Sequence, residues 1–149
     1  CAGMRTVDVP GPTGGMVTNY RGKAEAALRL LHDGCDLVYI HIEAPDECGH
    51  HGDAAAKVRE IEEIDRNILG WLMEQLDREG EAYRILLTPD HPTPVSLMTH
   101  TDEPVPSVHY NSTARTPDSG RRYSEAAAKA AGLFLPEGPL LMKRLLGRE

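Results

Sequence analysis

Carboxylates and imidazoles recur in three short runs of this chain. The runs are Ala44-Pro45-Asp46-Glu47-Cys48-Gly49-His50-His51, Thr88-Pro89-Asp90-His91-Pro92 and Thr99-His100-Thr101. The first two follow apolar stretches that read as strands, and an open α/β sheet delivers the C-terminal ends of its strands to one ligand-binding crevice. Asp46, His50, Asp90, His91 and His100 are therefore candidate ligands of divalent metal. Mixed Asp/His ligation suits Mn²⁺ or Zn²⁺, whereas all-oxygen sites favour Mg²⁺ or Ca²⁺. Two Asp/His groups on separate loops fit a two-metal site of the phosphatase kind. Metal-dependent phosphate chemistry is the leading expectation.

Taken singly, these residues have plainer readings: Asp46 as a turn cap, His50 as a surface residue. Asp90-His91 is harder to dismiss, because a carboxylate and an imidazole directly follow a strand that should be buried. The combination carries the inference. Glu43 is a candidate for orienting a ligand from behind, with a solvated loop carboxylate as the alternative. His51, His41, His109, Cys48 and Trp71 read more simply as surface, strand or packing residues. The Pro10–Gly15 run is not a P-loop, since it lacks GxxxxGK[ST].

The elements that would hold these groups are legible in the pattern. Met4–Val9 is a candidate strand, and Pro10–Gly15 breaks regular structure. Asn19 can cap a helix from Tyr20 to His32, with Ala24, Ala27, Leu28 and Leu31 on its apolar face and Gly34 beyond its end. Asp36–Ile42 reads as a buried strand. Val58, Ile61, Ile64, Ile68, Leu72 and Leu76 form an apolar stripe on a helix from about Asp53 to Arg78, stopped by Gly80. Tyr83–Leu87 and Val105–His109 are further strands. Ser124 can cap a helix to Ala131, and a last helix covers Pro139 to Leu146. Asn111–Arg122 reads as a flexible loop. Strands alternating with helices predict right-handed βαβ crossovers and a mostly parallel sheet flanked by helices, an α/β fold.

The chain's 149 residues make a single domain, 1–149, with a real core. No apolar run is long enough to cross a membrane. Net charge is −7, from 16 basic and 23 acidic residues. No basic patch suggests a nucleic-acid partner. Three cysteines without CxxC spacing imply neither a disulfide framework nor a zinc finger, so a cytoplasmic setting is the default. The start shows no signal-peptide pattern, lacks an initiator Met and runs straight into a strand-like stretch, as a chain beginning in mid-fold would.

With these residues in hand, the chain resembles the archaeal-type branch of the cofactor-independent phosphoglycerate mutases, in the alkaline phosphatase superfamily. The matching stretches are Val9-Pro10-Gly11-Pro12-Thr13-Gly14, Thr18 to Ala24, His41-Ile42-Glu43-Ala44-Pro45-Asp46 with Gly49-His50, Ile64-Asp65, Thr88 to Pro94, and Thr99-His100-Thr101 with Pro104-Val105-Pro106. The resemblance implies an alkaline-phosphatase-like fold and two Mn²⁺ or Mg²⁺ ions, with no 2,3-bisphosphoglycerate. Asp46, His50 and His100 would hold one ion; Asp90 and His91 would contribute to the other. It implies a small phosphorylated substrate, phosphoglycerate, and a nucleophilic serine N-terminal to the first metal loop. This chain's serines, Ser96, Ser107, Ser112, Ser119 and Ser124, all follow that loop. The expectation is therefore the C-terminal part of a longer enzyme, without the nucleophile segment or the substrate-binding insert, and inactive alone. Homoserine kinases, other phosphotransferases and phosphatases share the scaffold and remain alternatives, as does a non-catalytic metal-binding or interaction fragment. Half a sheet would leave an exposed edge, through which self-association is expected.

Overall fold

Asn19 opens the first helix by giving its backbone a hydrogen-bond partner. In the computed structural model, which describes residues 3–11, 15, 17–114 and 120–147, the Asn19 side-chain oxygen accepts from the Gly22 N–H at 2.8 Å. That satisfies one orphan donor of α1 (Tyr20–His32). The Asn19 amide also donates to the Pro10 carbonyl at 2.8 Å, tying down the run before it. Asn19→Ala is expected to cost about 1 kcal/mol, read as a lower urea midpoint at unchanged slope; an unmoved midpoint would show that the cap is idle. Pro12, Thr13 and Gly14 of the expected break lie outside the described residues, as do 115–119 of the expected 111–122 loop.

After α1 come α2 (Ala44–His50), α3 (Ala54–Ile64), a π-turn (Asp65–Gly70) and α4 (Trp71–Glu79). The Asp53 side chain caps α3 by accepting from the Ala56 N–H at 2.8 Å. Gly80, at φ +71°, follows α4 as expected. The long apolar stripe is only partly as expected. Ile64, Ile68, Leu72 and Leu76 recur at steps of four, and four residues overshoot an α-helical turn by about 40°. A π-turn rotates less per residue, which offsets that drift and keeps Ile68 and Leu72 on the face carrying Ile64. Val58 and Ile61 fall off this face and are 56% and 48% exposed.

The chain divides into two units, Cys1–Glu79 with Thr93–Thr99, and Gly80–Pro92 with His100–Glu149. In the first, Tyr20 and Ala24 of α1, Ala44, Ile68 and Leu72 form the core, with Leu28, Ile40, Ile42, Ile64 and Trp71 packed around it. Trp71 is half-buried under the Arg21 guanidinium, 4.6 Å from the ring centre. The Tyr20 hydroxyl donates to the Glu60 carboxylate; burial and that carboxylate push the phenol pKa up.

Two expected strands of this unit are not strands. Met4–Val9 and Asp36–Ile42 carry no ladder pairing among the described residues. Alternation in a sequence marks which side of a segment is buried, but a strand also needs a neighbour within about 5 Å. Leu37–Ile42 keeps the alternation: Ile40 and Ile42 pack on the core while Leu37 and Tyr39 face out.

In the second unit, β1 (Arg84–Leu87) pairs antiparallel with β2 (Val108–Asn111), Arg84 opposite Asn111 and Leu87 opposite Val108. This corrects the expected parallel βαβ crossover at that point, and β2 starts three residues later than expected. The connection from Thr88 to Ser107 holds no helix, and a parallel return needs a crossover of a dozen or more residues, usually helical. Ser112 prolongs the pair, its N–H reaching the Tyr83 carbonyl at 3.0 Å and its hydroxyl accepting from the Tyr83 N–H at 2.9 Å. Helix α5 (Glu125–Ala131) is capped by Ser124 as expected, at 3.2 Å to the Ala127 N–H. Helix α6 (Pro139–Leu145) packs on β1, where Arg84 donates to the Leu145 carbonyl at 3.1 Å. No described helix is long and apolar enough to cross a membrane.

Candidate metal centre

Asp46 and His50 lie on helix α2, not on the loop expected. Pro45 sits in the first turn, where its missing N–H costs nothing. Residues at i and i+4 share a helix face, and His50 Nε2 stands 3.4 Å from Asp46 Oδ2. Each side chain is oriented by the segment Thr93–Thr99. The Thr93 hydroxyl donates to Asp46 Oδ1, and His50 Nδ1 meets the Met98 carbonyl at 3.1 Å. A carbonyl can only accept, so this contact places a proton on Nδ1 and, in the neutral ring, the lone pair on Nε2.

Thr93 is the one buried polar residue among those described. Its carbonyl accepts from Lys57 Nζ at 2.6 Å. It also lies so close to Gly49 that a Cβ there would stand 2.5 Å from that oxygen. Gly49 thus makes room for Thr93. Thr93, Lys57 and Met98 were not legible as functional from sequence. Thr93 lies within the matching stretch Thr88 to Pro94 and Met98 just beyond it, before the His100 run, while Lys57 carries no signal.

The neighbours of α2 sit as their types suggest. Cys48 is fully buried, and burial pushes its thiol pKa up, keeping it protonated packing. His51 Nδ1 turns back to the Glu47 carbonyl at 2.7 Å. The Glu43 carboxylate lies 3.5 Å from His41 Nε2, both half-exposed. His41 also stacks on Tyr39, 6.2 Å between ring centres.

Within the second unit, Asp90, His91 and His100 come together by themselves. His91 Nε2 is 3.6 Å from Asp90 Oδ2, and the Asp90 side chain also accepts from the His91 N–H at 3.1 Å. The His91 and His100 rings lie 3.8 Å apart at 34°. The Thr101 N–H donates to the Pro92 carbonyl at 3.2 Å, pinning the chain beside both rings.

The model of the Metalloenzyme superfamily matches residues 1–142. The chain belongs to that superfamily. Its α/β, alkaline-phosphatase-like class is supported by the solved PH0037 protein from Pyrococcus horikoshii, 30% identical with a TM-score of 0.80 over 99% of this chain and 44% of that one. Among curated proteins, the 2,3-bisphosphoglycerate-independent phosphoglycerate mutase of Methanothrix thermoacetophila is 47% identical over 98% of this chain and 37% of its own length. The probable enzyme of that name from Geobacter sulfurreducens is 45% identical over 99% of this chain and 37% of its own. The chain therefore spans about 37% of the length of these two curated relatives.

The donors suit a divalent metal of the kind the superfamily implies. Asp46 Oδ2 and His50 Nε2, 3.4 Å apart on one helix face, offer the mixed carboxylate and imidazole donors that such a metal takes. The hydrogen bond at His50 Nδ1 is the arrangement that metal-ligating histidines almost always show.

Proposed function

We propose that this chain is the metal-binding part of a 2,3-bisphosphoglycerate-independent phosphoglycerate mutase, interconverting 2- and 3-phosphoglycerate through a phosphoserine in glycolysis and gluconeogenesis. The observation that carries the reading is the Asp46–His50 pair, with each side chain separately oriented from Thr93–Thr99. Likeness over nearly the whole chain to proteins of that name supports it. Asp46, His50, Asp90, His91 and His100 serve as ligands of two Mn²⁺ or Mg²⁺ ions. Bound, the metals supply positive charge to phosphoryl oxygens and make a serine hydroxyl a competent nucleophile. The protein's own part is to hold the donors in place before metal arrives, the His50 ring with its proton on Nδ1. Glu43 stands one turn before Asp46 and Glu47, its backbone carbonyl accepting from both their N–H groups, at 2.9 and 3.1 Å, while its carboxylate lies beside His41. The reading carries a cytoplasmic setting and a tendency to self-associate through an exposed sheet edge.

Calorimetric titration with Mn²⁺ tests the metal reading, with uptake expected by the metal-free chain; no uptake would sink it. The same chain is expected to show no turnover of 3-phosphoglycerate, because all its serines follow the first metal run. Turnover above an EDTA-treated control would show that the nucleophile lies elsewhere than proposed.

A further inference from the structure

Met98 is the only described non-glycine residue with positive φ, at 53°. A side chain in that left-handed region crowds the backbone, and such conformations persist only where the surroundings over-determine them. Here the Leu97 and Met98 N–H groups both donate to the Pro94 carbonyl, at 3.0 and 2.9 Å. The turn they close delivers the Met98 carbonyl to His50 Nδ1 at 3.1 Å. Meanwhile Met98 as a residue is 54% exposed, so burial does not explain the conformation. At the other end of the segment, Thr93 is held by Asp46, Lys57 and the gap at Gly49.

We propose that Met98 is a positioning residue of the metal centre: its left-handed backbone presents the carbonyl that fixes His50 as the Nδ1–H tautomer and leaves Nε2 for the ion. This rests on the metal reading above. The role belongs to the backbone, so it obeys an unusual substitution rule. Glycine and asparagine, which adopt the left-handed region readily, preserve it although they discard the thioether. Valine, equally apolar but β-branched, does not.

The test uses the ¹⁵N-labelled, metal-free chain at a pH well above the ordinary imidazole pKa of about 6.5, with His50→Gln assigning the His50 ring. Long-range ¹H–¹⁵N spectra are expected to show Nδ1–H at His50 in the wild type, Met98→Gly and Met98→Asn. Met98→Val is expected to populate the other tautomer and to bind Mn²⁺ about tenfold or more weakly, the usual consequence of losing a ligand's hydrogen-bond partner. Should Met98→Val fail to fold, Met98→Ala takes its place with a smaller shift in the same direction. An Nε2–H ring in the wild type overturns the proposal. So does a valine variant matching the wild type in both tautomer and affinity. The expected tautomers without Mn²⁺ uptake by any variant overturn the metal reading instead, and Met98's role toward an ion with it.

Discussion

Asp46→Ala is expected to weaken Mn²⁺ binding by about 100-fold or more. Losing only the group behind a ligand costs 10–100-fold, and here the ligand itself is removed. Asp46→Asn separates charge from architecture. Its amide oxygen still accepts from the Thr93 hydroxyl, which now meets Asp46 Oδ1, so the contact between α2 and the segment Thr93–Thr99 survives. The anionic oxygen facing His50 at 3.4 Å does not. Calorimetry should therefore find both variants deficient in metal binding, with the asparagine variant melting closer to wild type. An asparagine variant that binds Mn²⁺ as the wild type does would remove Asp46 from the ligand set.

Gly49→Ala sets helix propensity against packing. Alanine in a helix interior is favoured over glycine by about 1 kcal/mol, and on an exposed helix the substitution would stabilise. At this position the new Cβ would meet the Thr93 carbonyl oxygen at 2.5 Å and its Cγ2 at 2.8 Å. The carbonyl is backbone and is held from beyond by Lys57 Nζ at 2.6 Å, so it cannot swing aside as the tip of a long side chain would. Overpacking of this kind costs about 1–3 kcal/mol, and packing wins. We expect a lower thermal midpoint and, because Thr93 and Met98 are displaced from Asp46 and His50, weaker Mn²⁺ uptake. A raised midpoint would show that the segment yields freely.

Local signals were the readable ones. Asn19, Ser124, Gly34 and Gly80 marked helix ends correctly, because caps and left-handed stops are set by the residue itself and its nearest backbone. Asp46 and His50 stood out as candidates by type, but their helix was missed. Pro45 and Gly49 read as loop residues, whereas proline is welcome in a first turn and the glycine answers a contact with Thr93, far along the chain. Asp36–Ile42 and Met4–Val9 failed as strands because pairing depends on a neighbour that a segment's own sequence does not name. The exposure of Val58 and Ile61 follows from a π-turn that periodicity, which assumes one pitch throughout, does not reveal. Met98 was invisible for a related reason: nothing about methionine announces a left-handed backbone.

The unit carrying Asp46 and His50 is discontinuous, ending at Glu79 and resuming only for Thr93–Thr99. Its two orienting contacts join residues 47 and 48 positions apart in the chain, and closing such loops is an entropic cost met only when the far end is present. During biosynthesis, a nascent chain that has reached Glu79 already contains both donor side chains, yet neither the hydroxyl nor the carbonyl that aims them. On the proposed reading, metal capture waits for the segment Thr93–Thr99, and a chain that stops short of it carries both side chains unaimed.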